Sequence, residues 1–400
     1  MSKAKLKFID NDPEKGLEYD WQLIRKEFSK LKIPKDVYNP CSCPFEKCKY
    51  FVGFSERSIG KTTNWLLLGM VMNQLYGTEI QYIRQDVKDI APKSSANMFD
   101  VILQYDYVRK ITNDRWNTVV YKSRRWYFAN ADENGEITER CNIHFCFMTD
   151  IINATQLKSS YNAPYGDFIL FDEFINLCYY PNEFVRFADL VKTIIRSRQS
   201  PIIIMQANTI NKESEYFSEL GIYEEVQLLG KGDNVIVTSP KGTNIYVEWI
   251  ALSKASKKKQ YHNSLFFGFA NKKLASITGE DWAVGTYPHI PESNTDNFKE
   301  IFYNIYIQHN NRYLRLTAGY HNDIGNIIIV TKATRVYDDS IILTLDTQIE
   351  DPRYVYGDGT KDMRYSKLFK RIWLYKMNNK MYYQNNDVGH FVENYLSLCK

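Results

Sequence analysis

Between an apolar stretch, Tyr50 to Phe54, and a helical run, Asn64 to Leu75, stands the sequence Ser55-Glu56-Arg57-Ser58-Ile59-Gly60-Lys61-Thr62-Thr63. No other segment restricts the fold as much. A strand that turns through Gly-Lys-Thr into a helix aims the helix N-terminus, with its partial positive charge, at whatever lies over the turn. That geometry suits phosphate oxygens. The Lys61 ammonium would meet the β- and γ-phosphates of a nucleoside triphosphate, the Thr62 hydroxyl would ligate Mg²⁺, and the N–H groups from Ser55 to Thr63 would cradle the remaining oxygens. The pattern departs at one place: it wants glycine five residues before Gly60, where this chain has Ser55, and Gly53 comes two residues too early.

More than a hundred residues on, Asp167 to Phe174 reads Asp-Phe-Ile-Leu-Phe-Asp-Glu-Phe, an apolar run of the kind buried in parallel sheets, ending in two carboxylates. Adjacent acids at the end of a core strand are costly to desolvate unless a cation or hydrogen bonds await them. Asp172 is placed to hold the water shell of Mg²⁺, and Glu173 to orient or deprotonate an attacking water. Each motif alone has a plain structural reading, as a turn or as a strand closing in a solvated acidic bend. Together they point to hydrolysis of a nucleoside triphosphate.

The chain has 400 residues, enough for two domains, and a net charge of only +4, so nucleic-acid binding would rest on a local patch rather than a global field. No stretch approaches the length of a membrane span and the N-terminus lacks a signal peptide, which predicts no membrane partner and a cytoplasmic protein. The seven cysteines at 41, 43, 48, 141, 146, 178 and 399 form no regular framework and suit a reducing compartment. Cys41, Cys43 and Cys48 lack a zinc knuckle's spacing and read as thiols.

Residues 1–45, broken by Pro13, Pro34, Pro40 and Pro44, read as an N-terminal extension with a short helix over Trp21 to Leu31. A domain over 46–240 follows. It holds a strand at Glu79 to Arg84, a mixed helical stretch at Ala96 to Lys110 and a hairpin with arms Arg125 to Asn130 and Ile137 to Phe147 around Asn134-Gly135. A helix over Pro181 to Ser197 then leads into the strand Ile202 to Met205, which ends at Asn208. Strands alternating with helices predict an α/β fold, a doubly wound parallel sheet. The lysine run Lys254, Lys257, Lys258 and Lys259 marks a linker or small subdomain over 241–298. Residues 299–400 read as a smaller α+β domain, with strands at Phe302 to Ile307, Arg312 to Leu316, Ile327 to Thr331, Ser340 to Leu345 and Arg371 to Tyr375, and a helix near His390 to Leu398.

In motif order, roughly 48 to 290 resembles the DNA-encapsidation ATPases of small protein-primed tailed phages, terminase-like P-loop motors of the class with an additional strand and a catalytic Glu. Glu56-Arg57-Ser58-Ile59-Gly60-Lys61-Thr62 looks like their loop. Tyr82-Ile83-Arg84 is similar to a strand ending in Arg, and Ile169-Leu170-Phe171-Asp172-Glu173-Phe174 to their acidic motif. Thr193 to Arg198 resembles the helix end that carries their trans-acting arginine, and the strand end at Asn208 their coupling motif. The resemblance implies ATP and Mg²⁺ as cofactors and a homomeric ring, usually a pentamer, on a portal vertex in the host cytoplasm. Its partners would be double-stranded DNA, the portal or connector and, as a further candidate, a structural RNA. It also implies catalytic roles for Glu173, for Arg196 acting on a neighbour's nucleotide, and for Lys158 as a second basic residue. Lys88 and Lys93 fall where the family projects a loop into its DNA channel. The C-terminal domain is similar to a degenerate RNase H-like nuclease; because Phe302 to Ile307 carries no carboxylate, it is expected to be inert. The residues leave two other readings open: a replication helicase with the same ATP site, and a nucleotide-gated binding module.

Overall fold

The computed structural model describes residues 4, 6–152, 165–176, 182–210, 212–251, 287–289, 298–346, 349–356 and 366–399. Lys158, Cys178 and the 254–259 lysine run lie outside the described residues. The chain divides into two units. The first comprises Met1–Ile175, Asn182–Lys212 and Glu219–Trp282; the second comprises Asn176–Pro181, Glu213–Ser218 and Ala283–Lys400.

In the first unit the described strands are β1 (Tyr50–Ser55), β2 (Ile80–Arg84), β3 (Thr118–Lys122), β4 (Arg125–Ala131), β5 (Ile137–Arg140), β6 (Cys146–Asp150), β7 (Phe168–Asp172), β8 (Ile202–Asn208), β9 (Asn234–Thr238) and β10 (Asn244–Ile250). They form one sheet in the order β3-β4-β6-β2-β7-β8-β1-β10-β9, with β5 beside β4. From β6 to β10 every neighbouring pair is parallel, and antiparallel strands finish both edges. The central strands are buried on both faces, as their unbroken apolar runs require.

The sheet differs from the sequence reading in several places; β3 and β9 were not expected as strands. Ile137 to Phe147 is not one hairpin arm: β5 pairs antiparallel with β4, whereas β6 joins the parallel core beside β2. Asn244–Ile250, not expected as a strand, is β10 and pairs parallel with β1. The predicted helices are otherwise present as α1 (Trp21–Ser29), α2 (Lys61–Tyr76) and α3 (Glu183–Ile195). The stretch from Ala96 to Lys110 resolves into the short helices Asp100–Gln104 and Tyr107–Thr112.

The N-terminal residues are part of this core. Asp20 caps α1, accepting from the Leu23 N–H at 3.0 Å, and Trp21, Ile24 and Phe28 pack one buried face against α2. Trp21 stacks on Phe45, ring centroids 4.1 Å apart, and Phe45 edges against Trp65 of α2.

The second unit holds β11 (Phe298–His309), β12 (Arg312–His321), β13 (Gly325–Lys332), β14 (Ile341–Thr344), β15 (Tyr354–Tyr356) and β16 (Met381–Tyr383), with α4 (Ser366–Met377) and α5 (Asn386–Leu398). β11, β12 and β13 form an antiparallel meander; β14 joins β11 in parallel, β15 extends it and β16 closes the far side beside β13. Arg371 to Tyr375, expected as a strand, is the middle of α4. A short run with a single buried apolar position, Ile372, fits either period. β11 begins at Phe298 and so does carry a carboxylate, Glu300, which Arg315 of β12 holds at 2.9 Å. Among the described residues no helix is long and apolar enough to cross a membrane.

Candidate active site

Strand register decides which side chains meet. Ser55 at the end of β1 lies opposite Asn208 of β8, and Gln206 of β8 lies opposite Asp172 of β7. Phe171 faces Ile83 of β2, so Arg84 lies one step on, at the same edge. The carboxyl ends of β1, β8, β7 and β2 thus form a row, the edge at which open α/β sheets bind ligands. Over it opens a cleft of about 750 Å³, lined in part by Arg57 to Asn64, Asp172, Glu173 and Asn208.

The loop from Ser55 to Thr63 is shaped by left-handed backbone at Ser58 (φ 63°) and Gly60 (φ 78°). Gly60 directly precedes α2, and a Cβ there would stand 3.2 Å from that of Val37, so a side chain meets both strain and crowding. The N-terminal segment braces the loop from outside: Tyr38 N–H donates to the Ile59 carbonyl at 2.9 Å, and the Asn64 amide donates to the Tyr38 carbonyl.

Lys61 is buried. Its ammonium donates to the Ser55 hydroxyl, to the Glu56 carbonyl at 3.1 Å and to Asn208 Oδ1 at 3.3 Å. Burial pushes it down to about 8, against the pull of Asp172, Glu173 and Glu56. Ser55, where the loop pattern expects glycine, is fully buried behind the loop, and its hydroxyl also donates to the Glu56 carbonyl at 2.6 Å. Arg57 and Ser58 are exposed on the cleft side, whereas Ile59 is buried.

Across the cleft the Thr62 hydroxyl donates to Asp172 Oδ2 at 3.0 Å, and the Tyr82 hydroxyl donates to the same oxygen at 2.8 Å. Burial and then the Asp172 charge drive the Tyr82 phenol well above its ordinary value, which keeps it a donor. Glu173 has left-handed backbone (φ 58°), and its N–H donates back to the Gln206 carbonyl at 2.6 Å, turning its half-exposed side chain away from the strand. Arg84 grips that side chain, and its other arm lies 3.6 Å from Asp172. Alternation along β2 puts Tyr82 and Arg84 on one face. The Tyr-Ile-Arg end of the strand was noted in the sequence, but its partners were not legible there. Tyr105, stacked on Tyr107 at 5.7 Å, adds an aromatic wall.

The remaining expected residues lie elsewhere. Lys88 and Lys93 are exposed, in a 3-10 turn and a short helix that follow β2. Arg196 caps the C-terminus of α3 with φ 54° and is exposed. α3 returns from the carboxyl edge toward the start of β8, so Arg196 sits toward the amino edge, the end of β8 opposite Asn208. Arg198, two residues on at the same helix end, is tied up: Asp167 accepts from its Nε at 2.7 Å, from Tyr19 at 3.0 Å and from Ser200.

No protein-family model matches the chain, and no curated protein does. Solved structures do. The Phi-28 gp11 DNA packaging motor aligns over 92% of this chain and 99% of its own, with a TM-score of 0.53 and 16% identity. The bacteriophage Phi-29 viral genome packaging motor assembly aligns over 91% and 99%, with a TM-score of 0.50 and 16% identity. At that identity the likeness is one of fold, and it runs over nearly the whole length of both: the chain is built as phage DNA-packaging motor proteins are built.

Proposed function

We propose that this chain hydrolyses ATP to drive double-stranded DNA into a viral procapsid, as one subunit of a homomeric ring on a portal. The observation that carries the reading is the meeting of Lys61, Thr62, Asp172 and Glu173 over one cleft, from strand ends far apart in sequence. Asp172 and Thr62 are oxygen donors of the kind Mg²⁺ takes, 3.0 Å apart. Bound there, the ion would neutralise charge on the transferred phosphate. Lys61 meets the phosphates, Asn208 reports on them through the bond to Lys61, and Glu173 orients the water. Arg84 holds Glu173 and so sets where that carboxylate points. Arg196 is too far from its own site to serve it, which supports action on a neighbour.

The second unit supports an RNase H-like reading through its antiparallel meander with β14 added in parallel beside β11. With Glu300 held by Arg315, we read it as a catalytically inert DNA or RNA contact domain.

The test is turnover with and without duplex DNA and procapsids. A packaging motor is stimulated by DNA and translocates only on a procapsid. Unwinding without procapsids would favour the helicase reading, and turnover indifferent to DNA would favour the binding module. Lys88, and with it Lys93, is assigned to phosphates rather than bases. Lys88→Ala is therefore expected to weaken DNA binding alike on all sequences and to lower the salt slope by about one unit. An unchanged slope would move the DNA path elsewhere.

Lys61 gives a pH dependence. Burial holds its ammonium at about 8, and triphosphate beside it raises that value, so binding takes up protons once the free site begins to deprotonate. ATP affinity is expected to be flat below about pH 7 and to fall as pH rises through about 8. Calorimetry near pH 8, in buffers of different ionisation enthalpy, should register the uptake; affinity unchanged to about pH 9 would refute it.

A further inference from the structure

The second residue of the phosphate loop, Glu56, is an acid where a polyanion is to be held. Its carboxylate is nine-tenths buried and forms an ion pair with Lys231, a residue 175 positions away. An unpaired carboxylate at that depth is costly, and it would repel phosphates from close range. The cation is delivered by a built turn. Gly230 N–H donates to Asp233 Oδ2 at 3.1 Å, and Asp233 N–H donates to the Gly230 carbonyl at 3.0 Å. Gly232 takes φ 96°, open only to glycine without strain, and donates to the Trp249 carbonyl at 2.8 Å; Trp249 N–H returns a bond to Asp233 at 3.0 Å. Trp249 belongs to β10 and packs on Phe54 of β1, with ring centroids 6.0 Å apart. The turn is thus fixed to the strand from which the loop springs.

We infer that Lys231 is a positioning residue of the phosphate loop: it neutralises and anchors Glu56, so that Lys61 and the loop N–H groups face a triphosphate with no uncompensated negative charge behind them. This rests on the nucleotide-site reading above. Glu56 also helps hold the charge on Lys61, and the pair with Lys231 keeps that help from becoming repulsion toward the ligand.

The experiment measures the Kd of a fluorescent ATP analogue with Mg²⁺, alongside kcat, KM and thermal unfolding. Lys231→Ala is expected to weaken binding by roughly tenfold or more, with the loss in KM rather than in kcat. Lys231→Arg should keep most of the affinity. The double variant Glu56→Gln/Lys231→Ala should regain most of what Lys231→Ala loses, a coupling of at least about fivefold. Failure of the double variant to regain affinity would overturn the inference, since a purely structural Lys231, or one that touched the nucleotide itself, gives no such rescue. Wild-type affinity in Lys231→Ala would overturn it too. If Lys231→Ala does not fold, Lys231→Met with and without Glu56→Gln poses the same question at conserved side-chain length. Absence of binding by the wild type would instead sink the nucleotide-site reading itself.

Discussion

Lys61→Ala is expected to abolish nucleotide binding, whereas Glu173→Gln is expected to bind ATP with Mg²⁺ and to turn it over roughly 10³-fold more slowly or worse. The two carry different tasks. Lys61 is buried among neutral oxygens of Ser55, Glu56 and Asn208, so its charge is available to phosphates rather than spent in a direct ion pair. Glu173 acts on Lys61 through its charge; its side chain is turned into the cleft by left-handed backbone and held by Arg84. The glutamine variant keeps size and hydrogen bonding but gives up the negative charge that polarises water. Equilibrium binding and single-turnover hydrolysis separate the outcomes. Near-normal turnover by Glu173→Gln would remove it as the catalytic base.

Arg196→Ala subunits are expected to bind ATP and not to hydrolyse it in a uniform ring, with a loss of about 10³-fold or more for a transition-state cation. Mixing them with Lys61→Ala subunits, which lack ATP but keep the arginine, should restore part of the activity. Arg196 lies toward the amino edge of the sheet and the cleft lies at the carboxyl edge, so any other rescue is hard to arrange. Mixed assemblies that form and stay as inactive as either parent would show that Arg196 is not the finger. Arg198 is the poorer candidate, because Asp167 already holds it beside Tyr19 and Ser200.

Much of this was legible in the sequence where local pattern and chemistry coincide. The apolar runs before Gly60, Arg84, Asp172 and Asn208 became the strands β1, β2, β7 and β8, because strands buried on both faces need little more than continuous hydrophobicity to declare themselves. Which strand stands beside which was not legible. That β8 separates β1 from β7, and so brings Asn208 beside Lys61, depends on pairing between distant segments. The burial of Trp21, Ile24 and Phe28 against α2 was hidden for another reason: prolines and charges break the N-terminal pattern into pieces too short to outweigh a solvent-exposed reading. Neither Glu56 nor Lys231 carries any local mark of the other. An ion pair across 175 residues exists only once the sheet has placed both ends.

The position of β1 has a consequence for how the chain is made. Its two neighbours, β8 and β10, are both encoded far downstream, whereas α2 and β2 follow it directly without pairing to it. During synthesis β1 therefore leaves the ribosome with both edges bare, an open template for pairing with other chains. Parallel pairing over such sequence distances is slow, because the loop entropy is lost before any contact repays it. The loop after β1 is not braced on its Asn208 side until β8 has docked against β1, so on the proposed reading nucleotide binding arrives late in folding and reports on completion of the sheet's centre.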